Sequence, residues 1–296
     1  RDLSSAASDV YKRQLIGWNG IHFYLPIQWE LIVKANSHLI IEENHHPLLE
    51  VRWQNKTQRP SGQSHTDAIL SRLGKELSRE LLIIESPPFL HPLTSRFTVS
   101  AFAYRDSAHP AGAIITCMQT DTPILLQCFS TAPSLIPRLR SFFETFTSTF
   151  KENGVGHWAI QDLKFDIPRQ YELEASTFSL GLIQLFFKNR TTQLKLCRIA
   201  HVSRHFQEYS FSELFDNFCG DTPINRRLID ERTLVLDAPP SPFDKLLRVI
   251  KRKKIYRWAK FDHLDDQDKI LGLHIQSRTP LNDDQISSIE NSYGTI

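Results

Sequence analysis

Residues 23–31 read FYLPIQWEL and residues 165–173 read FDIPRQYEL, 142 positions further on. Phe, an aliphatic residue, Pro, Gln, an aromatic, Glu and Leu agree in register at seven positions. A chain that repeats a segment at domain-length spacing is constrained to build one unit twice. The flanks support this. Trp18, Ile21 and Phe23 stand against Trp158, Leu163 and Phe165, and two strand-like runs follow each motif: Leu39–Glu42 with Leu48–Trp53, and Leu180–Phe187 with Gln193–Ile199.

Within the motif, Ile21, Phe23 and Leu25, and likewise Leu163, Phe165 and Ile167, alternate with period two, the mark of a strand with one buried face. Pro26 and Pro168 end these strands because proline cannot donate to a ladder. Trp29 and Tyr171, with Leu31 and Leu173, are expected to fold back as plugs over the core edge, so Phe23, Pro26, Trp29, Leu31, Phe165, Pro168, Tyr171 and Leu173 take a structural role.

Ile69, Leu70, Leu73, Leu77 and Leu81 recur at helical spacing and predict an amphipathic helix over 66–82, matched by Phe211, Leu214, Phe215 and Phe218 over 210–218. Strands are predicted over 97–104, 112–119 and 124–129, then a Phe-rich helix over 134–150. The second half is expected to close with strands at 256–263 and 269–277 and a shorter helix capped by Asn282. Each unit then runs βββαββ(β)α, an α+β architecture of two tandem antiparallel sheets packed with helices. The units are expected at 15–152 and 157–296.

That order, with a short strand ending in Pro and followed by an aromatic, resembles the PsbP-like fold shared by photosystem accessory proteins and a small Ran-binding import factor. The resemblance covers both halves. It implies a non-enzymatic binding or assembly role. Residues 1–14, RDLSSAASDVYKRQ, differ in composition and periodicity from the rest and lack the apolar core of a signal peptide. They resemble adapter-derived peptides at the ends of translated metagenomic contigs, which implies a non-native, disordered segment in place of the genuine N-terminus.

The 296 residues, 41% hydrophobic and 23% charged, suit two globular domains, and a formal charge of +2 excludes a chain-wide polyanion-binding surface. Cys117, Cys128, Cys197 and Cys219 form no CxxC pair and are expected as buried free thiols in a reducing, cytoplasmic setting. No apolar run approaches the roughly 18 residues of a membrane span.

Gly154, Gly156 and Ala159 satisfy GxGxxA, but the dinucleotide fingerprint needs a strand before it and a helix after it. The expected order here is the reverse, so a helix cap and linker explain the glycines. His201 and His205 have the spacing of metal ligands on one helix face but lack an acidic third ligand. His45 and His46 read as turn residues. Asp262, Asp265, Asp266 and Asp268 lack the Gly and Glu of a calcium loop. No nucleophile motif or P-loop occurs, and no cofactor or metal is expected. One local charge anomaly remains: Lys245, Arg248, Lys251, Arg252, Lys253, Lys254, Arg257 and Lys260 interleave with Phe243, Leu246, Leu247 and Ile250. This is either a core-facing helix with a basic outer face or an anion-binding stripe, with Tyr256 and Trp258 positioned to stack on bases. Three function classes follow. They are a non-catalytic binding or adaptor protein with a protein partner, a nucleic-acid or anionic-surface binder acting through 245–260, and an enzyme with a site at an interdomain cleft.

Overall fold

The computed structural model describes residues 13–53, 65–106, 110–118, 122–148, 154–220, 226–230, 232–238 and 256–296. The chain divides into two compact units, Arg1–Asp162 and Leu163–Ile296. Both are built from antiparallel sheet and a few helices, an α+β architecture.

In the first unit, β1 (Arg13–Trp18) and β2 (Ile21–Pro26) form a hairpin. Its two-residue turn, Asn19 and Gly20, takes φ of 45° and 87°, and two consecutive positive φ values give the twist that antiparallel strands favour. Trp18 therefore ends β1, while Ile21 and Phe23 lie on β2. Arg13 pairs with Pro26 and Gln14 with Leu25, so the described regular structure includes the last two residues of the segment 1–14, expected to be disordered. Chain then continues through β3 (Glu30–Ala35), β4 (His38–Glu43), β5 (His46–Trp53), α1 (His65–Leu77), β6 (Leu81–Ile83), a 3-10 turn at Pro88–Leu93, β7 (Phe97–Tyr104), β8 (Pro110–Cys117), β9 (Pro123–Cys128), α2 (Ile136–Glu144), β10 (Thr147–Ser148) and β11 (Val155–Ile160).

Seven strands in the order β3-β4-β5-β9-β8-β7-β6 make one sheet with a helix on one face and the β1–β2 hairpin and α2 on the other. Under α1, Ile69, Leu70 and Leu73 meet Phe102, Ala111, Ile114 and Leu125. On the opposite face Phe23 stacks on Phe146 at 5.1 Å and meets Phe142 edge-on at 5.1 Å. Those large apolar surfaces, withdrawn from water, are the main source of stability for the unit.

In the second unit, β12 (Leu163–Pro168), β13 (Glu172–Ser179), β14 (Leu182–Lys188), β15 (Thr192–Ala200), the short α3 (Val202–His205), α4 (Phe211–Cys219), β16 (Arg226–Asp230), β17 (Thr233–Ala238), β18 (Tyr256–Leu264), β19 (Lys269–Ser277), α5 (Asp283–Ser292) and β20 (Gly294–Thr295) follow in order. The seven-stranded sheet is β13-β14-β15-β19-β18-β17-β16, the same order as in the first unit when β3 is set against β13. Phe211, Leu214, Phe215 and Phe218 of α4 cover one face, packing on Leu234, Leu236, Ala259 and Phe261. The other face carries β12 and α5. There Phe165 lies 5.8 Å from Phe187 and 6.2 Å from Tyr293.

Several sequence expectations need correction. The order per unit is longer than βββαββ(β)α, because β3 and β13 directly follow the Pro-aromatic motif. The division falls at Asp162/Leu163 rather than at 152–157, because β11 pairs with β1 and Trp158 packs edge-on against Trp18 at 5.3 Å. The helix expected to reach residue 82 stops at Leu77: Ser78 takes φ 52°, and the Ser78 and Arg79 amides donate back to Lys75 and Gly74 at 3.3 and 3.0 Å, a left-handed C-cap that turns the chain into β6. The Phe-rich helix ends at Glu144. Phe146 is buried beyond it and Thr147 and Ser148 pair with β2, while Phe150 lies outside the described residues. At ten residues α5 is not the shorter helix, since α2 has nine.

Candidate functional site: a cavity on the sheet of the second unit

The cavity begins with the way α4 ends. Ser210 and Glu213 form a capping box at its start, Ser210 Oγ accepting from the Glu213 amide at 3.3 Å and Glu213 Oε2 accepting from the Ser210 amide at 2.7 Å. Nine residues later the helix stops at Gly220, whose φ of 82° suits a residue without Cβ. A helix this short covers only part of the sheet beneath it. Beside its C-terminal end the described residues border a cavity of about 380 Å3 over the strands.

The floor comes from β14, β15 and β19. Register places Lys195 opposite His274 and Gln193 opposite Gln276, so the four polar side chains share one face of the sheet by the two-residue repeat of a strand. Phe186 supplies apolar wall, and Phe218 and Cys219 the side toward α4, while Phe187 and Leu194 border the space with their side chains turned to the other face. At the rim stands Glu174, the extra residue of a bulge between Leu173 and Ala175. Its carboxylate accepts from Lys188 Nζ at 2.9 Å and from Gln193 Nε2 at 3.3 Å.

Lys195 is half-buried. Its Nζ donates to the Phe218 carbonyl at 2.9 Å, one of the last carbonyls of α4, and lies 4.5 Å from the Phe218 ring centroid and 5.5 Å from that of Phe186. Burial holds the ammonium below the usual lysine range, only partly offset by Cys197 and Cys219. Buried His274 is pushed down to about 3, first by desolvation and then by the positive charges of Lys195 and Arg257. The imidazole is therefore neutral near pH 7. The Gln276 amide nitrogen, 3.3 Å away, can only donate, so His274 Nε2 accepts and the ring proton sits on Nδ1. Burial raises the Cys219 thiol to about 12, far from a reactive thiolate.

The first unit fills the same region of its sheet differently. Glu50, on β5 and 3% exposed, pairs with both His38 and Arg52, and Arg52 Nη1 reaches Glu76 on α1 at 2.8 Å. The carboxylates of Glu50 and Glu76 with the Arg52 guanidinium form an ion network there. In the second unit, among the described residues, a lysine faces the cavity instead.

Of the residues singled out in the sequence, Trp29 and Tyr171 occupy matching places. Each is buried, each donates its amide to the preceding proline carbonyl (Pro26 at 2.9 Å, Pro168 at 3.0 Å), and each meets a helix of its own unit. Trp29 packs on Phe142 at 5.5 Å, and Tyr171 Oη accepts from Gln285 Nε2 at 3.1 Å. Leu31 and Leu173 are not plugs: both sit half-exposed near the start of β3 and β13, where the extended chain carries them away from the core edge. Lys245, Arg248, Lys251, Arg252, Lys253 and Lys254 lie outside the described residues. Arg257 is on β18 opposite Gln276, and Lys260 is already paired with Asp262 at 3.0 Å and Glu290 at 2.9 Å.

His201 is left-handed (φ 56°) ahead of the four-residue α3, so it does not share a helical face with His205. His45 lies in the β4–β5 turn and His46 opens β5. Asp268 caps α3, accepting from the Ser203 amide at 2.7 Å and hydroxyl at 3.0 Å. Gly154 has φ 73° and β11 follows at once, with Gly156 and Ala159 inside that strand, so no helix N-terminus stands there for a pyrophosphate. Among the described residues no helix is long and apolar enough to cross a membrane, and no group of three His, Cys, Asp or Glu is placed to hold a metal ion.

Lys195, His274, Gln193 and Gln276 were not singled out in the sequence. Their signal was present in QLKLC and LGLHIQS, where polar residues alternate with Leu and Ile in strands that prove central to the sheet.

Neither a protein-family model nor a curated protein matches the chain. Solved structures that resemble it include one described as MucB in complex with MucA(peri), 8% identical, covering 98% of this chain and 95% of that one at a TM-score of 0.22. A second is the MucA/MucB complex of Pseudomonas aeruginosa, 9% identical, covering 99% of each chain at 0.21. Likeness at this level carries no argument here.

Proposed function

We propose that the chain is a non-catalytic binding protein and that the cavity of the second unit is its ligand site. The observation that carries this reading is Lys195: a half-buried ammonium, hydrogen-bonded to a carbonyl and set between two rings, beside a cavity of about 380 Å3. Apolar walls with a few convergent polar groups are the usual make-up of a ligand pocket, and the volume falls within the usual range of roughly 300–1,000 Å3. The titratable groups there are poorly tuned for chemistry. His274 is too weak a base near pH 7 and the Cys219 thiol is too weak an acid.

The matching strand orders and the equivalent Trp29 and Tyr171 turns support a tandem duplication, in which the second copy opened a cavity where the first kept an ion network. The same motif supports kinship with the PsbP-like fold. The buried free thiols support a reducing, cytoplasmic setting. A protein partner belongs to this proposal as well, as the adaptor form of the binding role.

Fluorescence titration with 1-anilinonaphthalene-8-sulfonate tests the site, since this probe gains emission in apolar cavities. Saturable binding with one site per chain is expected, weakened at least about tenfold by Asn217→Trp or Gln193→Trp at the rim, with thermal melting confirming that each variant folds. Probe binding indifferent to both substitutions, or chemical conversion of a ligand held in the site, would overturn the proposal.

A further inference from the structure

We infer that the cavity of the second unit takes an amphipathic monocarboxylate, with the carboxylate on Lys195 Nζ and the hydrocarbon body against Phe186 and Phe218. This rests on the reading of the cavity as a ligand site. It adds the sign, the number and the placement of the ligand's charge.

The sign comes from Lys195. Among the described residues its ammonium has given up much of its water for one carbonyl and two ring faces, none of which carries a full negative charge. A carboxylate entering from the cavity supplies the missing counter-charge in a region of low dielectric, where a charge-assisted hydrogen bond is strongest. A cationic ligand meets repulsion at the same point.

The number comes from the lining. Among the described residues its charged side chains are Lys195 inside and Glu174 at the rim, and neutral His274 adds nothing. A phosphate monoester or a dicarboxylate would bring a second negative charge toward Glu174, where no second cation stands among the described lining residues; Arg257, on β18 opposite Gln276, is not one of them. The amides of Gln193 and Gln276 are suited to a polar substituent but do not replace a cation.

The body comes from the walls and the size. Phe186 of β14 and Phe218 of α4 line the space and turn their rings to Lys195. At roughly 30 Å3 per water-sized group, the cavity accommodates about a dozen non-hydrogen atoms. An aryl or unbranched alkyl acid of that size fills it: 4-phenylbutyrate and decanoate are both suitable.

The test is calorimetric titration of the full chain with 4-phenylbutyrate, 4-phenylbutanamide and 4-phenylbutylamine, which share a body and differ in charge. The carboxylate is expected to bind at least about tenfold more tightly than either of the others. Lys195→Met is expected to abolish that preference while leaving amide binding within about twofold, and Lys195→Arg to retain it. Lys195→Gln serves as the neutral variant if Lys195→Met does not fold, as judged by thermal melting. Equal affinities for the acid and the amide in the parent chain, or an acid preference that survives loss of the Lys195 charge, would overturn the inference. So would failure of all three compounds to bind. If the anilinonaphthalene probe still binds in that case and is still blocked by Asn217→Trp, the cavity reading stands and only the monocarboxylate falls.

Discussion

Lys195 lies directly opposite His274 across the β15–β19 ladder, and the ammonium of one helps to keep the imidazole of the other uncharged. The arrangement makes stability depend on pH. His274 titrates at about 3 in the folded chain against an ordinary 6.5, so below 6.5 the unfolded chain binds a proton that the folded chain refuses. Its contribution is complete above pH 6.5 and is lost as pH falls toward 3. Between pH 7 and pH 5 the loss should be about 2 kcal/mol. Urea unfolding at these two pH values should show it in the parent chain and not in His274→Gln. His22 in the first unit shifts in the same direction and is common to both chains. Equal losses in the two proteins would contradict the assignment.

Burial rather than pairing sets the behaviour of the thiols. Cys128, Cys197 and Cys219 are each raised to about 12 by desolvation, and Cys117 is buried as well. The thiolate is the reactive form, so at pH 8 the folded chain should react with a disulfide reagent such as Ellman's far more slowly than a free cysteine. In denaturant all four thiols should titrate promptly. A rapid single-thiol burst in the folded state would show that one of them is less buried than described.

The strands of the repeated motif were legible because Ile21, Phe23, Leu25 and their partners alternate cleanly, and burial follows that alternation. Edge strands β3 and β13 were not legible, since strands half-exposed on both faces need no apolar rhythm. The overlong first helix had a different cause: Leu81 continues the helical spacing while the break at Ser78 depends on a left-handed φ that spacing does not encode. The cavity was hidden for a third reason. In isolation Lys195 and His274 read as the solvent face of alternating strands, and only the sheet order makes those strands central and turns that face toward α4. The basic run was the most conspicuous charge pattern in the chain, yet of its seven candidate site residues only Arg257 falls among the described residues.

Two glycines mark where strands and rings come too close for a side chain. A Cβ on Gly112 would sit 2.1 Å from the Leu126 carbonyl oxygen and 2.8 Å from Phe102 Cζ, whereas one on Gly272 would meet Cys197 Sγ and Phe261 Cε2, each at 2.7 Å. Backbone yields less readily than side chains. Gly112→Ala should therefore cost the most, about 3 kcal/mol or more, and Gly272→Ala about 1–3 kcal/mol. Gly154 has nothing within 4 Å but a φ of +73°, so its replacement should cost only about 1 kcal/mol. Urea midpoints for the three variants should fall in that order. A Gly112→Ala protein as stable as Gly154→Ala would refute the close approach of β8 to β9.

Arg138 joins α2 to the end of β4. Its guanidinium donates to both carboxylate oxygens of Glu43, Nη1 to Oε2 at 3.0 Å, while lying 5.3 Å from the centroid of the Trp29 ring. The hydrogen bonds from Arg138 hold the Glu43 carboxyl below its ordinary value, outweighing desolvation. A depressed carboxyl stabilises the fold above its unfolded pKa, and that contribution disappears as pH falls through the folded value. Both partners retain some contact with water, so the coupling should be modest, about 1 kcal/mol. A double-mutant cycle of Arg138→Gln and Glu43→Gln at pH 7 should return that coupling, and the same cycle at pH 3 should return a smaller one. The stacking of Arg138 on Trp29 does not titrate, so whatever Arg138→Gln still costs at pH 3 in the Glu43→Gln background measures that contact. A coupling near zero at pH 7, or one unchanged at pH 3, would show that the pair does not hold α2 against the sheet.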